Sequence, residues 1–297
     1  MNMLSGYQFI DLDQLPLRRA QLQVQAQQRG LLGTILIAPE GINLALTGAS
    51  EALDAYLEYL VTAHGIDALI SHRQAVDQAP FQRLKVRIKP EIIRFDVKLR
   101  PGQAACATDL DPVAWQELLR DPALQLVDTR NRPEVRVGRF RGAKDPGIER
   151  FTEFAAWCER ELDPSRPVAI YCTGGVRCEK AGIHLKRQGF EQVYQLEGGI
   201  LNYLRDPRVD PELWQGECFV FDDRISVDHQ LQPTQKPICE LCRCPAVGID
   251  AEGLPPLDAQ QQCQLCAEPI SDERLSSVRE RCKQSALQRA RALSELA

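Results

Sequence analysis

Along the first hundred residues the apolar positions change period several times, and each change predicts an element. "YQFIDL" (7–12) reads as a strand, and "LPLRRAQLQVQAQQRG" (15–30) as a helix stopped at Gly30. "GTILIA" (33–38) and "INLALTG" (42–48) predict two strands joined by a hairpin turn at "PEG" (39–41). "SEALDAYLEYLVTAHG" (50–65) places Leu53, Leu57 and Leu60 on one helical stripe, with Ser50 as N-cap. "DALISH" (67–72) and "RLKVRI" (83–88) follow as strands. The order βαββαβ predicts a ferredoxin-like α+β domain over residues 1–100.

"DVKLRPGQAACATDLDP" (96–112) has little periodicity and reads as a linker. Beyond it, short apolar runs alternate with helical ones. "LQLVDTR", "PVAIYC" and "QVYQLEG" predict strands; "WQELLR", "FTEFAAWCEREL" and "CEKAGIHLKRQG" predict helices. Such alternation implies a parallel α/β sheet covered on both faces, over residues 101–220. Residues 221–297 form a third segment rich in cysteine, proline and glutamine, with a basic, helix-like end.

Composition narrows the class. With 44% hydrophobic and 26% charged residues the chain is an ordinary globular one. No apolar run is long enough to span a membrane, and the N-terminus does not resemble a secretory signal. The odd count of eleven cysteines, with their spacing, points to a reducing cytoplasm, metal binding and reactive thiols rather than a disulfide framework. The oligomeric state is not legible.

The chemistry concentrates in "VAIYCTGGVRCEKAG" (168–182). Cys172 ends a predicted strand and Cys178 begins a predicted helix, at the carboxyl end of the strand, where open α/β sheets bind ligands. Between them Thr173, Gly174, Gly175, Val176 and Arg177 form a loop. Its glycines let backbone N–H groups turn inward, beside a helix N-terminus and a fixed positive charge. That setting lowers a thiol pKa, so Cys172 is the candidate nucleophile and Arg177 its electrostatic partner. Cys178 either resolves an oxidised or persulfidated Cys172 or packs in the first helical turn. The Cys172–Arg177 loop has six residues, one fewer than that of cysteine phosphatases, and resembles the active loop of rhodanese domains. "VDTRNRPEVRVGRFRGA" (127–143) and "LEGGILNYL" (196–204) resemble the segments before and after that loop.

Taken with "GTILIAPEGINLALTG", "FQRLKVRIKPEIIRF" and "GECFVFDDRISVD", these motifs resemble the oxygen-dependent tRNA uridine hydroxylases, over about residues 33–228. The resemblance implies hydroxylation of the wobble uridine of tRNA at C5, with molecular oxygen as co-substrate and Cys172 as catalytic cysteine. A rhodanese-type sulfurtransferase carrying a persulfide on Cys172 is the alternative. No flavin or nicotinamide fingerprint is visible.

Local charge supports an RNA partner despite a net charge of −5. Arg83, Lys85, Arg87 and Lys89 alternate with Leu84, Val86 and Ile88, which puts all four charges on one strand face. Arg130, Arg132, Arg136, Arg139 and Arg141, with Lys144, stand against Glu134 alone. Both stretches are candidate phosphate contacts. Glu40 and Asn43, in "PEGIN", are polar residues between apolar strands. They are expected to reach the Cys172 loop or a base. In the tail, Cys239-x2-Cys242 and Cys263-x2-Cys266 are 20 residues apart, which predicts a structural zinc, with Cys244 as a competing ligand.

Overall fold

A computed structural model describes residues 1–95 and 107–234 and six helical positions between 273 and 287. Met1–Gln232 form one compact unit and Pro233–Ala297 a second. The zinc candidates Cys239, Cys242, Cys263 and Cys266, and Cys244, lie outside the described residues.

The first unit opens with β1 (Asn2–Phe9), α1 (Leu15–Gln28), β2 (Leu32–Ala38), β3 (Gly41–Gly48), α2 (Ser50–His64), β4 (Ile70–Ala75) and β5 (Leu84–Ile88). The strands form one sheet in the order β4-β1-β3-β2-β5. This is the predicted ferredoxin-like fold, with β5 running parallel to β2 at one edge. Alternation decides the faces. Leu4, Ile35, Ile37, Ile42, Leu44, Leu46 and Val86 bury against Leu22 and Ala26 of α1 and Leu53, Tyr56 and Leu60 of α2. The residues between them point to the opposite, helix-free face.

Two local expectations are corrected. β1 begins at Asn2, not Tyr7, because it pairs with β3 through the whole register Asn2↔Gly48 to Phe9↔Gly41. Ile10 and Leu12 leave the strand and donate instead to the carbonyls of Glu40 and Pro39 in the β2–β3 turn. Ser50 lies inside α2 behind Ala49, and its hydroxyl accepts from Arg73 at 3.3 Å rather than capping the helix. The glycine of the turn is required. Gly41 has φ +148°, and a Cβ there would stand 2.1 Å from the Gln8 carbonyl of β1.

The central part contains β6 (Thr108–Leu110), α3 (Pro112–Leu118), β7 (Gln125–Asp128), α4 (Arg132–Val137), β8 (Gly138–Phe140), α5 (Phe154–Glu161), β9 (Val168–Tyr171), α6 (Val176–Arg187), β10 (Val193–Leu196) and α7 (Gly199–Arg205). Its sheet, β6-β10-β9-β7, is parallel throughout. β6 falls in the stretch read as linker. Three residues are too few to show a period, and they become a strand only by pairing with β10. Both faces are covered as predicted: Val168 and Ile170 of β9 join one core with Phe154 and Ile183, while Ala169 and Tyr171 join another with Trp115, Phe140 and Tyr203. β11 (Trp214–Gly216) pairs with β8, and β12 (Cys218–Phe219) forms a small hairpin with β13 (Ser226–Val227). Among the described residues no helix is long and apolar enough to cross a membrane.

The helix-free face of the first sheet packs on the central part. Lys180 of α6, fully buried, donates to Glu40 Oε1 at 2.9 Å and to the Ile93 carbonyl at 2.9 Å, and pairs with Glu91. Glu40 also accepts from the Ile92 N–H at 2.9 Å. Glu40 thus ties the two sheets together instead of facing a base. Glu40→Ala removes one partner of a buried ammonium and strands the Ile92 donor, at a cost of about 1–3 kcal/mol. A lower melting temperature with an unchanged rate of Cys172 alkylation is the expected result.

Candidate active site

Tyr171 ends β9 and the next residue, Cys172, begins a loop that closes back on its own sulfur. Gly175 takes φ +98°, a conformation open to glycine, and its N–H donates to Cys172 Sγ at 3.1 Å. α7 secures the outside of the loop: Ile200 N–H donates to the Cys172 carbonyl at 3.0 Å and Leu201 N–H to the Thr173 carbonyl at 3.1 Å. The approach is so close that a Cβ at Gly199 would lie 2.4 Å from the Cys172 oxygen.

Burial alone would raise the Cys172 pKa. The Cys178 thiol, the Arg177 charge and the amides of Arg177 and Gly175 outweigh it and bring the pKa down from 9.0 to about 6. Cys178 is also fully buried, and burial together with the neighbouring Cys172 pushes its own pKa well up. It keeps its proton and serves as a hydrogen-bond donor to the thiolate.

Arg177 is held by an acid the sequence reading noted only as an exception. Glu134 receives Arg177 Nη1 and Nη2 at 2.9 Å each and the Asn131 N–H at 3.2 Å. The usable signal was Asn131-x-x-Glu134, the spacing of a helix-capping pair. The bidentate pair fixes the guanidinium, so its charge acts on Cys172 from one place.

The loop opens on a cavity of about 420 Å³ facing the helix-free side of the first sheet. Cys172, Thr173, Gly174, Val176 and Arg177 form one wall; Tyr7, Thr34, Leu36, Asn43 and His72 form the other. Strand register places these sheet residues in rows. One row runs Ile70, Tyr7, Asn43, Leu36, Arg87 across the five strands; the next runs His72, Ser5, Ala45, Thr34, Lys85. Lys85 and Arg87 therefore share the face that lines the cavity. Arg87 lies three strands from Tyr7, or about 14 Å at the usual strand spacing.

Tyr7 was not singled out from the sequence. Its hydroxyl donates to Glu179 Oε1 at 3.0 Å, and a Cβ at Gly175 would stand 2.9 Å from it. The N-terminal sheet thus touches the thiolate loop directly. Burial raises the Glu179 carboxyl pKa, opposed by the Tyr7 hydrogen bond. Burial and the Arg205 charge bring His72 down to about 4, so this wall carries a neutral imidazole.

The other predicted residues divide. Asn43 lines the cavity together with the Cys172 loop. Arg83, Arg87 and Lys89 are exposed and Lys85 half-buried. Arg130 must be corrected: it is fully buried and paired with Asp128 at 2.6 Å, with a further bond to the Gly138 carbonyl, and has no surface to offer a phosphate. Arg132 is half-buried and paired with Glu149. Arg136, Arg139 and Arg141 are exposed around β8, and none of these five arginines lines the cavity.

A thiol titrating at about 6 predicts a pH profile. Alkylation of Cys172 by a small haloacetamide should reach its plateau near neutrality and halve at about pH 6. An ordinary thiol would instead halve near pH 9. Replacing Arg177 with methionine should move the midpoint upward; competition kinetics across pH would read both.

Residues 1–92 match the family model described as a UPF0176 acylphosphatase like domain, and residues 111–206 match the Rhodanese-like domain. The chain joins an acylphosphatase-like, ferredoxin-like domain to a rhodanese-like domain. Among solved structures, the rhodanese-like domain of an Anabaena sp. protein is 27% identical, over 32% of this chain and 71% of that one, with a TM-score of 0.29. A rhodanese-like domain protein from Staphylococcus aureus is 24% identical over 32% and 90%, with a TM-score of 0.29. The acylphosphatase from Bacillus subtilis is 13% identical over 29% and 99%, with a TM-score of 0.25.

Proposed function

We propose that the protein hydroxylates C5 of the wobble uridine of tRNA with molecular oxygen, using Cys172 as nucleophile. One observation carries the reading most. A thiolate opens on a cavity of about 420 Å³, within the usual range for a small-molecule site. The same sheet face that lines the cavity continues to Lys85 and Arg87. A cavity of this volume is larger than one persulfide sulfur needs and suits a pyrimidine, and Lys85 and Arg87 on the same sheet face are candidates for the phosphates of its chain.

In the proposed chemistry the thiolate adds to C6 of the uracil, and the C5–C6 π electrons move toward C5 and O4. Oxygen reacts at the electron-rich C5. Loss of the C5 proton and departure of Cys172 restore the ring. The O–O bond of the C5 adduct is then cleaved by two electrons and two protons from an external thiol-class reductant, so that one oxygen stays on C5 and the other leaves as water. Asn43 is suited to hydrogen-bond the uracil edge, and Arg177 and the loop amides steady the thiolate as it leaves.

A second reading rests on the loop itself. Its amide cradle around one sulfur also suits a sulfurtransferase that stores a sulfane on Cys172, as the Rhodanese-like match suggests. The two separate in one experiment with purified protein. With an electron donor supplied, 5-hydroxyuridine formed in undermodified tRNA under air, but not under argon, supports the hydroxylase. Catalytic thiocyanate release from thiosulfate and cyanide, with no oxygenated tRNA, assigns sulfur transfer.

A further inference from the structure

Of the exposed large apolar residues that line the cavity among the described residues, Ile70 and Phe221, Phe221 is the more exposed. Its side chain is 67% exposed, although it lines the same cavity as Cys172. One face of the ring covers the Arg177 guanidinium at 5.7 Å, and Phe219 meets it edge to face at 5.2 Å. The turn beneath is rigid. Asp222 and Arg224 form a buried bidentate pair at 2.8 and 2.7 Å, the Val220 N–H donates to the Ile225 carbonyl at 2.8 Å, and Ile225 takes φ +65°. An apolar ring is therefore held in water by a well-fixed support.

The turn is also tied to the basic strand. The Asp223 N–H donates to the Pro80 carbonyl at 3.0 Å, and the next residue, Phe81, lines the cavity too. Two residues later begins the run Arg83, Lys85, Arg87. Rigid exposed aromatic rings beside a row of cations are the arrangement that grips single-stranded nucleic acid, by stacking and by phosphate contact together.

We infer that Phe221 is a stacking platform for a nucleobase flanking the one in the cavity. The inference rests on the RNA reading above and goes a step beyond it. Arg177 occupies the inner face of the ring, so a base on its outer face lies outside the cavity and not over Cys172. The ligand class is a single-stranded RNA segment with a splayed base on each platform, one in the cavity and its neighbour on Phe221. A lone nucleotide would leave the second platform empty.

The test measures binding of the full-length protein, under argon, to a short single-stranded RNA with one central uridine. A matched RNA carries abasic sites on both sides of that uridine. Phe221→Ala should weaken the intact RNA by about 5- to 150-fold, the range for loss of one stacked base. Phe221→Trp should restore it, and the salt dependence should not change, since stacking releases no counterions. On the abasic RNA the Phe221→Ala effect should vanish. Unchanged affinity in Phe221→Ala, while reversal of Lys85 and Arg87 to glutamate still weakens binding, overturns the platform and keeps the RNA reading. An equal loss on both RNAs also overturns it, because the ring would then serve the cavity or the fold. No RNA binding by the unmodified protein removes the RNA reading and the platform together.

Discussion

Cys172→Ser is expected to reduce product formation by about 10⁴-fold or more, the scale on which loss of a nucleophile is felt. The fold should survive, because a hydroxyl fits where the thiol sat and still accepts from Gly175 N–H. Stability should change in a defined way with pH. The folded pKa, about 6, lies below the ordinary value of 9.0, so between them the unfolded thiol holds a proton that the folded one has lost. The stability of the parent protein relative to Cys172→Ser should thus grow as pH rises from about 6 toward 9, and should be flat below about 6. Denaturant titrations at several pH values would show it. A retained turnover in the serine variant would place the chemistry elsewhere.

Reversing Arg83, Lys85 and Arg87 to glutamate should give the second largest effect. Arg83 and Arg87 are exposed and Lys85 is half-buried, and none is needed to close a core. Each phosphate contact on a single strand contributes about 0.7 to the log–log salt slope, so three lost contacts should flatten it by about 2. The apparent KM for tRNA should rise steeply, while alkylation of Cys172 keeps its rate and pH midpoint, because those depend on the loop and Arg177. Equal tRNA affinity at low and moderate salt would remove this strand from the RNA path and leave Arg136, Arg139 and Arg141 around β8.

Much of this arrangement is local and therefore visible in one dimension. The ferredoxin-like order follows from changes in apolar period, and the Cys172 loop from a cysteine and two glycines between a strand and a helix. What escapes is tertiary. β6 is a strand only because β10 pairs with it. Glu40 looked like a free polar residue at a turn, and its partner Lys180 lies 140 residues further on. Arg130 belonged to a basic stretch by sequence, yet Asp128, two residues away, takes it into the core. Tyr7 carries no motif, and Phe221, though inside the quoted "GECFVFDDRISVD", was given no role by it. They matter because packing brings a strand from residue 2 and a hairpin from residue 218 to the same cavity, one against Gly175 and the other against Arg177.

The central claim joins three elements: a thiolate, a nucleobase in the cavity and oxygen at C5. Purified protein, undermodified tRNA, an electron donor and ¹⁸O-labelled oxygen bring them into one measurement, read by mass spectrometry of the digested nucleosides. The account predicts a single labelled oxygen on the wobble uridine, absent with Cys172→Ser. A hydroxylated uridine whose oxygen comes from water, or no oxygenated uridine while Cys172 turns over sulfur, would contradict it.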